Sequence, residues 1–285
     1  MHAVLAELLE LLGLERLEES LFRGQSQDLG WGTVFGGQVL GQALSAAQQT
    51  VPEGRTVHSL HGYFLRPGDA GRPIIYDVDR IRDGKSFTTR RVVAIQNGKP
   101  IFSMGASFQI AEEGFSHQAA MPDVPGPEGL ASETELARLI ADKIPEPLRA
   151  RAVGVKPIEV RQVAPINPLD PGVRAPERYV WYRSIDPLPD DPKIHRFLLA
   201  YASDFHFMTT ALFPHGVSWL SPGMQTASLD HAMWFHRDFR LDDWLLYAVE
   251  SPSASHARGL ARGHFFNRKG ELVASTVQEG LLRKR

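Results

Sequence analysis

The sequence contains no cysteine, which excludes disulfide bonds, thiolate metal sites and a cysteine nucleophile and fits a reducing compartment. Long apolar runs are also lacking, and none approaches the roughly 20 residues of a membrane span. The 285 residues carry a net charge of only −2, which does not favour a nucleic-acid partner. No basic leader precedes the leucines of the first helical stretch, so we expect a cytoplasmic protein without membrane or nucleic-acid partners.

Short motifs that define common enzyme classes are missing as well. There is no Gly-x-Ser-x-Gly elbow of the serine hydrolases and no His-Glu-x-x-His zinc helix. A Walker phosphate loop is absent, and Gly30, Gly32 and Gly36 miss the last spacing of the dinucleotide fingerprint. The sequence therefore predicts neither a metal nor an organic cofactor.

Two segments of the chain share the same order of elements. In residues 35–110, a glycine-opened helical stretch precedes a strand and hairpins that turn at Asp83-Gly84 and Asn97-Gly98. Residues 193–282 repeat this order, and their hairpin turn at 267–270 lies roughly 170 residues after its counterpart. This spacing indicates two fused copies of one small domain. We predict an N-terminal domain over 1–111, a proline-rich connector over 112–192 and a C-terminal domain over 193–285.

Each copy combines one helix with antiparallel strands. Residues 86–96 are rich in Thr, Val and Phe and end at Asn97-Gly98, a strong hairpin signal. Gly37, Gly41 and several alanines in the first helix would let it lie close against a curved sheet. One long helix wrapped by antiparallel strands is the hotdog architecture. The sequence therefore predicts an α+β double hotdog, with two antiparallel sheets that each wrap one long helix.

The connector differs in composition from the two copies, because it is rich in proline. Ser132 and Glu135 form a predicted capping box before a helix, and residues 157–163 alternate as a strand does. Since proline cannot donate to a central ladder, we expect the connector to cross the surface of the core. In the second copy, strands are predicted over 224–235 and 243–250.

Asp204 lies on the apolar face of the second copy's helix. That face is defined by residues at helical spacing: Ile194, Phe197, Leu198, Tyr201, Phe205 and Met208. A buried carboxylate needs partners or its pKa rises, and either outcome marks a candidate site. An ion pair with an arginine or a local turn cap is the alternative. Ser228 and Gln278, in half-buried strands, offer a hydroxyl and a carboxamide that can hold one water, although each is also an ordinary strand residue.

Six segments resemble, in order, the bacterial acyl-CoA thioesterase II family over nearly the whole chain. They are Leu-Phe-Arg-Gly-Gln-Ser at 21–26, Phe-Gly-Gly-Gln-Val at 35–39, Tyr-Phe-Leu-Arg-Pro-Gly at 63–68, Tyr-Ala-Ser-Asp at 201–204, Asp-His-Ala-Met-Trp-Phe-His at 230–236 and Ser-Thr-Val-Gln-Glu-Gly at 275–280. The family has a double hotdog fold and hydrolyses fatty acyl-CoA thioesters with an aspartate, a threonine or serine, and a glutamine around one water.

The resemblance implies catalytic roles for Asp204, Ser228 and Gln278, with Ser228 standing where threonine is common in relatives. It also implies acyl-CoA as the substrate and further association into a homo-oligomer. Gly36 and Gly37, at the start of the first helix, are expected either to contact the oxyanion or to allow close packing. An apolar lining for the acyl chain is expected near the helix and the strand 224–235.

Other residues remain open to two interpretations. His58 is either a base at a second site or a packed histidine, and Asp230 either steadies the site or joins a strand-end hydrogen-bond network. Six arginines are candidates for the phosphates of coenzyme A: Arg66, Arg82, Arg90, Arg91, Arg258 and Arg262.

Two other functions stay open. A hotdog hydratase pairs an aspartate with a histidine a few residues away, but His206 lies too near Asp204 in the sequence for that role. A non-catalytic acyl-CoA-binding or scaffold protein is less favoured, because the aspartate, the hydroxyl and the glutamine are present together.

Overall fold

The computed structural model describes the backbone of residues 1–285 and every side chain except that of Pro147. The first half contains helices α1 (Ala3–Leu12) and α2 (Gly36–Gln48). Its strands are β1 (Glu15–Arg16), β2 (Leu21–Gly24), β3 (Arg55–Phe64), β4 (Ile74–Asp83), β5 (Phe87–Gln96) and β6 (Lys99–Ile110).

The middle of the chain forms short helices followed by two strands: α3 (Glu133–Leu139), a 3₁₀ helix (Ala141–Lys143), α4 (Glu146–Val153), β7 (Ile158–Gln162) and β8 (Glu177–Ser184). The last part contains α5 (Pro192–Ser203), a second 3₁₀ helix (Met208–His215), β9 (Met224–Ser228), β10 (Asp230–Phe235), β11 (Leu245–Ser255), β12 (Arg258–Asn267) and β13 (Leu272–Lys284).

The strands form one continuous antiparallel sheet, in the order β1-β2-β4-β5-β6-β3-β10-β13-β12-β11-β8-β7, with β9 also paired to β13. The two predicted sheets are its two halves, and they join where β3 pairs with β10. Each half contributes one long helix, and α2 and α5 pack against each other. The predicted α+β double hotdog is therefore confirmed.

The two long helices run antiparallel and approach each other closely. A Cβ at Gly37 would overlap the carbonyl oxygen of Tyr201, and a Cβ at Gly41 would lie 3.1 Å from the carbonyl oxygen of Phe197. These glycines were expected to allow close packing of α2 against the sheet, but they allow close packing against α5 instead. The N-terminus of α2 consequently lies beside the C-terminus of α5, and this juxtaposition positions the site.

The hairpin turns lie where the sequence places them. Asn97 and Gly98 have φ values of 50° and 69°, the left-handed pair that a two-residue type I′ turn requires. The turn at 267–270 is closed by a hydrogen bond of 2.9 Å from the Gly270 N–H to the Asn267 carbonyl. The capping box is confirmed, since Ser132 Oγ accepts from the Glu135 N–H and Glu135 accepts from the Ser132 N–H.

Three elements differ from the sequence interpretation. Residues 177–184 of the expected surface connector form β8, which lies between β11 and β7, because this stretch contains no proline and is rich in aromatic residues. The strand predicted over 224–235 divides at Leu229, whose N–H donates to Glu279 and whose carbonyl accepts from Phe64. Helix α5 ends at Ser203, before Phe205 and Met208, and His206 turns the chain with a φ of 62°.

Candidate active site

Asp204 follows directly after α5, and its side chain is only 7% exposed. The last turn of α5 brings the carboxylate against the first residues of α2. A Cβ at Gly36 would lie 2.7 Å from Asp204 Oδ2, so glycine is the residue that leaves room for the acid here. The positive end of the α2 dipole therefore faces a buried negative charge.

The strands bring two polar side chains to the same carboxylate. Gln278 on β13 is fully buried, and its Nε2 donates a 2.7 Å hydrogen bond to Asp204 Oδ1. Ser228 on β9 is paired with Gly280, two residues further along β13, so Ser228 and Gln278 belong to neighbouring positions of one strand pair. The structure thus brings together the three residues singled out in the sequence.

Burial raises the pKa of the Asp204 carboxyl above its ordinary value. Hydrogen bonds from Gln278, the Gly37 N–H and the Ser228 hydroxyl oppose this effect without cancelling it. The site therefore holds an acid whose charged form is less stable than that of a surface aspartate. Such a group accepts a proton more readily at a given pH.

His231 is a further residue at this site, and the sequence interpretation did not select it. It is fully buried on β10, and its Nδ1 lies 4.0 Å from Asp204 Oδ1. Its Nε2 lies 3.0 Å from Ser203 Oγ, and that hydroxyl also lies 2.9 Å from the Ala200 carbonyl oxygen. The Ser203 hydroxyl donates its proton to the Ala200 carbonyl, so it can only accept from His231. Nε2 is therefore the protonated nitrogen, and Nδ1 carries a lone pair.

At this site, two buried acceptors have no hydrogen-bond partner among the described residues, namely His231 Nδ1 and Gln278 Oε1. Burial lowers the pKa of His231 to about 3, which keeps the ring neutral at physiological pH. Strand alternation is the signal that would have found His231, because it faces the same side of β10 as the buried Met233 and Phe235.

The secondary candidates lie elsewhere or have structural partners. His58 is half-buried and bonds Ser107 Oγ at 2.8 Å. It lies six residues along β3 from Phe64, whose ring contacts the Gly36 position, so it is about 20 Å from the site. Asp230 accepts a 2.6 Å hydrogen bond from the Glu279 N–H, at the point where β9 and β10 meet. Asp230 therefore takes part in the strand-end network.

Arg90 does not lie on a surface that coenzyme A can reach, because it is 1% exposed. Its guanidinium donates to Thr50 Oγ1 and to the Thr50 carbonyl, each at 2.9 Å, and to Asp83 at 2.7 Å. Thr50 lies two residues after the end of α2. Arg90 is therefore a buried, fully paired arginine of the N-terminal half.

The described residues contain no group of three His, Asp or Glu side chains arranged to hold a metal ion. Among the same residues, no helix combines the length and the apolar character needed to cross a membrane.

Two protein families match the chain, one in each half. The family described as acyl-CoA thioesterase matches residues 150–281, and the acyl-CoA thioesterase N-terminal domain matches residues 26–109. Acyl-CoA thioesterase 2 of Haemophilus influenzae is 48% identical over 284 residues, with 99% of each chain covered. Human acyl-coenzyme A thioesterase 8 is 43% identical over 282 residues, covering 96% of this chain and 88% of the human one.

Solved structures agree with these relationships. The acyl-CoA thioesterase II TesB2 of Mycobacterium marinum superposes with a TM-score of 0.80 at 45% identity, and the match covers 98% of both chains. A hot dog protein of Alicyclobacillus acidocaldarius, at 22% identity and a TM-score of 0.78, matches in fold. With nearly full-length relatives at this level of identity, the chain belongs to the bacterial acyl-CoA thioesterase II family and is an acyl-CoA thioesterase.

Proposed function

We propose that the protein hydrolyses fatty acyl-CoA thioesters by direct attack of one water molecule, which Asp204, Ser228 and Gln278 hold against the thioester carbonyl. The observation that carries this proposal is the buried Asp204 carboxylate, bonded to the Gln278 amide and raised in pKa by burial. A base of this kind is suited to taking a proton from water near neutral pH.

In the proposed step, the water oxygen bonds to the carbonyl carbon while one water proton moves to Asp204. Breakage of the carbon–sulfur bond then expels the thiolate of coenzyme A, which takes that proton and leaves as a thiol. The products are a free fatty acid and coenzyme A, and no acyl-enzyme forms. General base assistance of this type contributes roughly 10²- to 10⁴-fold in rate.

The water is held by acceptors as well as by the base. Gln278 uses its N–H for Asp204, which leaves Oε1 to accept the second O–H of the water. His231 Nδ1, which lies 4.0 Å from the carboxylate, is an alternative neutral acceptor for that same O–H. We assign His231 the part of a positioning residue, since its pKa of about 3 makes it a poor base.

The start of α2 is the proposed site for the developing oxyanion. Gly36 and Gly37 lie at the positive end of the helix dipole, where backbone N–H groups have no partner inside the helix. The Gly37 N–H also lowers the pKa of Asp204, so it lies toward the acid, and we propose Gly36 as the other donor to the oxyanion. Stabilisation of this kind is worth several kcal/mol in other acyl-transfer enzymes.

A thiol-release assay with a panel of acyl-CoA thioesters tests the proposal. We expect turnover by the wild type and a fall of about tenfold or more in Asp204→Asn and Gln278→Ala, while Asp123→Asn, which changes an exposed acid of the connector, retains full activity. Thiol release within threefold of the wild-type rate in both site variants would overturn the assignment of these residues. Tight acyl-CoA binding without turnover by the wild type would instead favour the binding or scaffold function.

We also propose a cytoplasmic location and assembly into a homo-oligomer. Light scattering of the purified protein measures the second, and a monomer at micromolar concentration would contradict it.

A further inference from the structure

Two tyrosine hydroxyls hold the backbone on either side of Asp204. Tyr247 on β11 donates to the Ser203 carbonyl, and Tyr182 on β8 donates to the Phe205 carbonyl, each at 3.2 Å. Ser203 and Phe205 are the two chain neighbours of Asp204, at the C-terminal end of α5, where carbonyl groups have no partner inside the helix. The hydroxyls therefore satisfy free carbonyls at the point where the chain carries the acid.

The pairing of β8 with β11 explains why the two hydroxyls converge. Tyr182 is opposite Leu245 and Tyr247 is opposite Val180, so the two tyrosines are diagonal neighbours on one face of the strand pair. Their rings lie 5.9 Å apart, and both side chains are fully buried. Burial raises the pKa of both hydroxyls well above the ordinary value, so both keep their protons at physiological pH.

Each hydroxyl also has a second polar partner at 2.8 Å. This partner is Thr276 Oγ1 for Tyr247 and His206 Nδ1 for Tyr182. Both partners can donate to the tyrosine oxygens, which leaves the tyrosine protons for the two carbonyls. Thr276 lies on β13 two residues before Gln278 and on the same buried face, so one strand contacts both the acid and a tyrosine that holds it.

Two residues after Asp204, the backbone adopts an unfavourable conformation. His206 has a φ of 62°, in the left-handed region, and such a conformation persists in a non-glycine residue where the surroundings impose it. Its Nε2 lies 2.6 Å from a Glu133 oxygen, and its carbonyl accepts a 2.9 Å hydrogen bond from Arg178. With its ring in the imidazolium form, His206 donates to Glu133 and to Tyr182 at once. The chain after the acid is thus fixed as well.

We propose that Tyr182 and Tyr247 are positioning residues for the hydrolysis, because their hydroxyls fix the carbonyls that flank Asp204 and so hold its carboxylate against the attacking water. The inference rests on the proposed function and gives the connector strand β8 a part in catalysis. A shift of about 1 Å in a catalytic group can cost on the order of 10²-fold in rate. Gln278 also holds the carboxylate, so loss of one hydroxyl should displace it only in part.

Tyr182→Phe and Tyr247→Phe each remove one hydroxyl and keep the ring. With dodecanoyl-CoA as the substrate, each should lower kcat by about tenfold and leave KM within about twofold of the wild type, because the groups that bind the substrate are unchanged. A displaced carboxylate also loses part of the hydrogen bonding that lowers the pKa of Asp204. The acid limb of the kcat profile should therefore move to higher pH, which a loss of stability alone would not cause.

Tyr76→Phe is the matched control in the N-terminal half. Tyr76 is equally buried, and its hydroxyl donates a 2.7 Å hydrogen bond to Gln42, which keeps its own bonds to the Leu11 and Gln25 carbonyls. This variant should lose stability as the other two do, while its kcat and its acid limb stay those of the wild type. Thermal unfolding of all three variants measures the stability.

The two tyrosines lie on different strands, so either variant that folds decides the outcome. A folded Tyr182→Phe or Tyr247→Phe enzyme with the kcat and the acid limb of the wild type would overturn the inference and leave the proposed function intact. An equal loss of kcat in Tyr76→Phe would overturn it too, since any lost buried hydroxyl would then have the same effect. A wild-type protein that hydrolyses no acyl-CoA would overturn the proposed function, and this inference with it.

Discussion

Replacement of Asp204 by asparagine keeps the shape of the side chain and removes its charge and its basicity. The remaining oxygen can still accept from Gln278 at the present 2.7 Å. The new NH₂ group then faces the donors Gly37 and Ser228, which now bond the carboxylate, and an unsatisfied buried donor costs about 1–3 kcal/mol. Removal of a charge that burial disfavours offsets part of this cost, so we expect only a small net change in stability.

The effect on catalysis should be much larger than the effect on stability. Loss of the general base should lower kcat/KM by roughly 10²- to 10⁴-fold, equivalent to roughly 3–5 kcal/mol of transition-state stabilisation. Because only the ionised carboxylate accepts a proton, wild-type activity should fall as the pH drops through the raised pKa of Asp204, and the variant should lack this acid limb. Thiol release measured across pH tests both points. A folded Asp204→Asn enzyme within threefold of wild type would refute the assigned role.

Three further changes have distinct signatures. Gln278→Ala removes a hydrogen bond to a charged group, worth about 1.5–3 kcal/mol, so kcat/KM should fall roughly 10- to 150-fold. Since that bond lowers the pKa of Asp204, the acid limb should also move to higher pH, and an unmoved limb would contradict the geometry. His231→Phe should lower kcat by about tenfold or more with little change in KM, whereas the exposed His236→Phe should match the wild type. Arg90→Met should reduce the free energy of unfolding in urea by roughly 1–3 kcal/mol, because buried acceptors beyond α2 lose their donor, and KM should not change.

Local signals in the sequence predicted the elements that local physics controls. The Asn97-Gly98 turn needs two left-handed residues, and the Ser132 capping box needs two side chains three residues apart, so both were readable from short windows. The inward position of Asp204 followed from helical periodicity, even though α5 ends one residue before it.

Features that depend on packing between distant segments could not be predicted. The pairing of β3 with β10 joins strands about 170 residues apart, and no local pattern specifies which edges meet. Gly37 signals close approach but not whether a sheet or another helix approaches. The burial of Arg90 depends on its hydrogen bonds to Thr50, which is distant in the sequence, and to Asp83, which lies across a hairpin.

Hydrolysis in heavy-oxygen water tests the central claim most directly, since the claim is that water attacks the thioester and Asp204 acts only as its base. After many turnovers, mass spectrometry is applied to the fatty acid and to the peptide that contains Asp204. We predict label in the fatty acid and none in the peptide. Label in the Asp204 carboxylate would mean that this side chain attacks the substrate itself and forms a covalent anhydride, which would contradict the proposed chemistry.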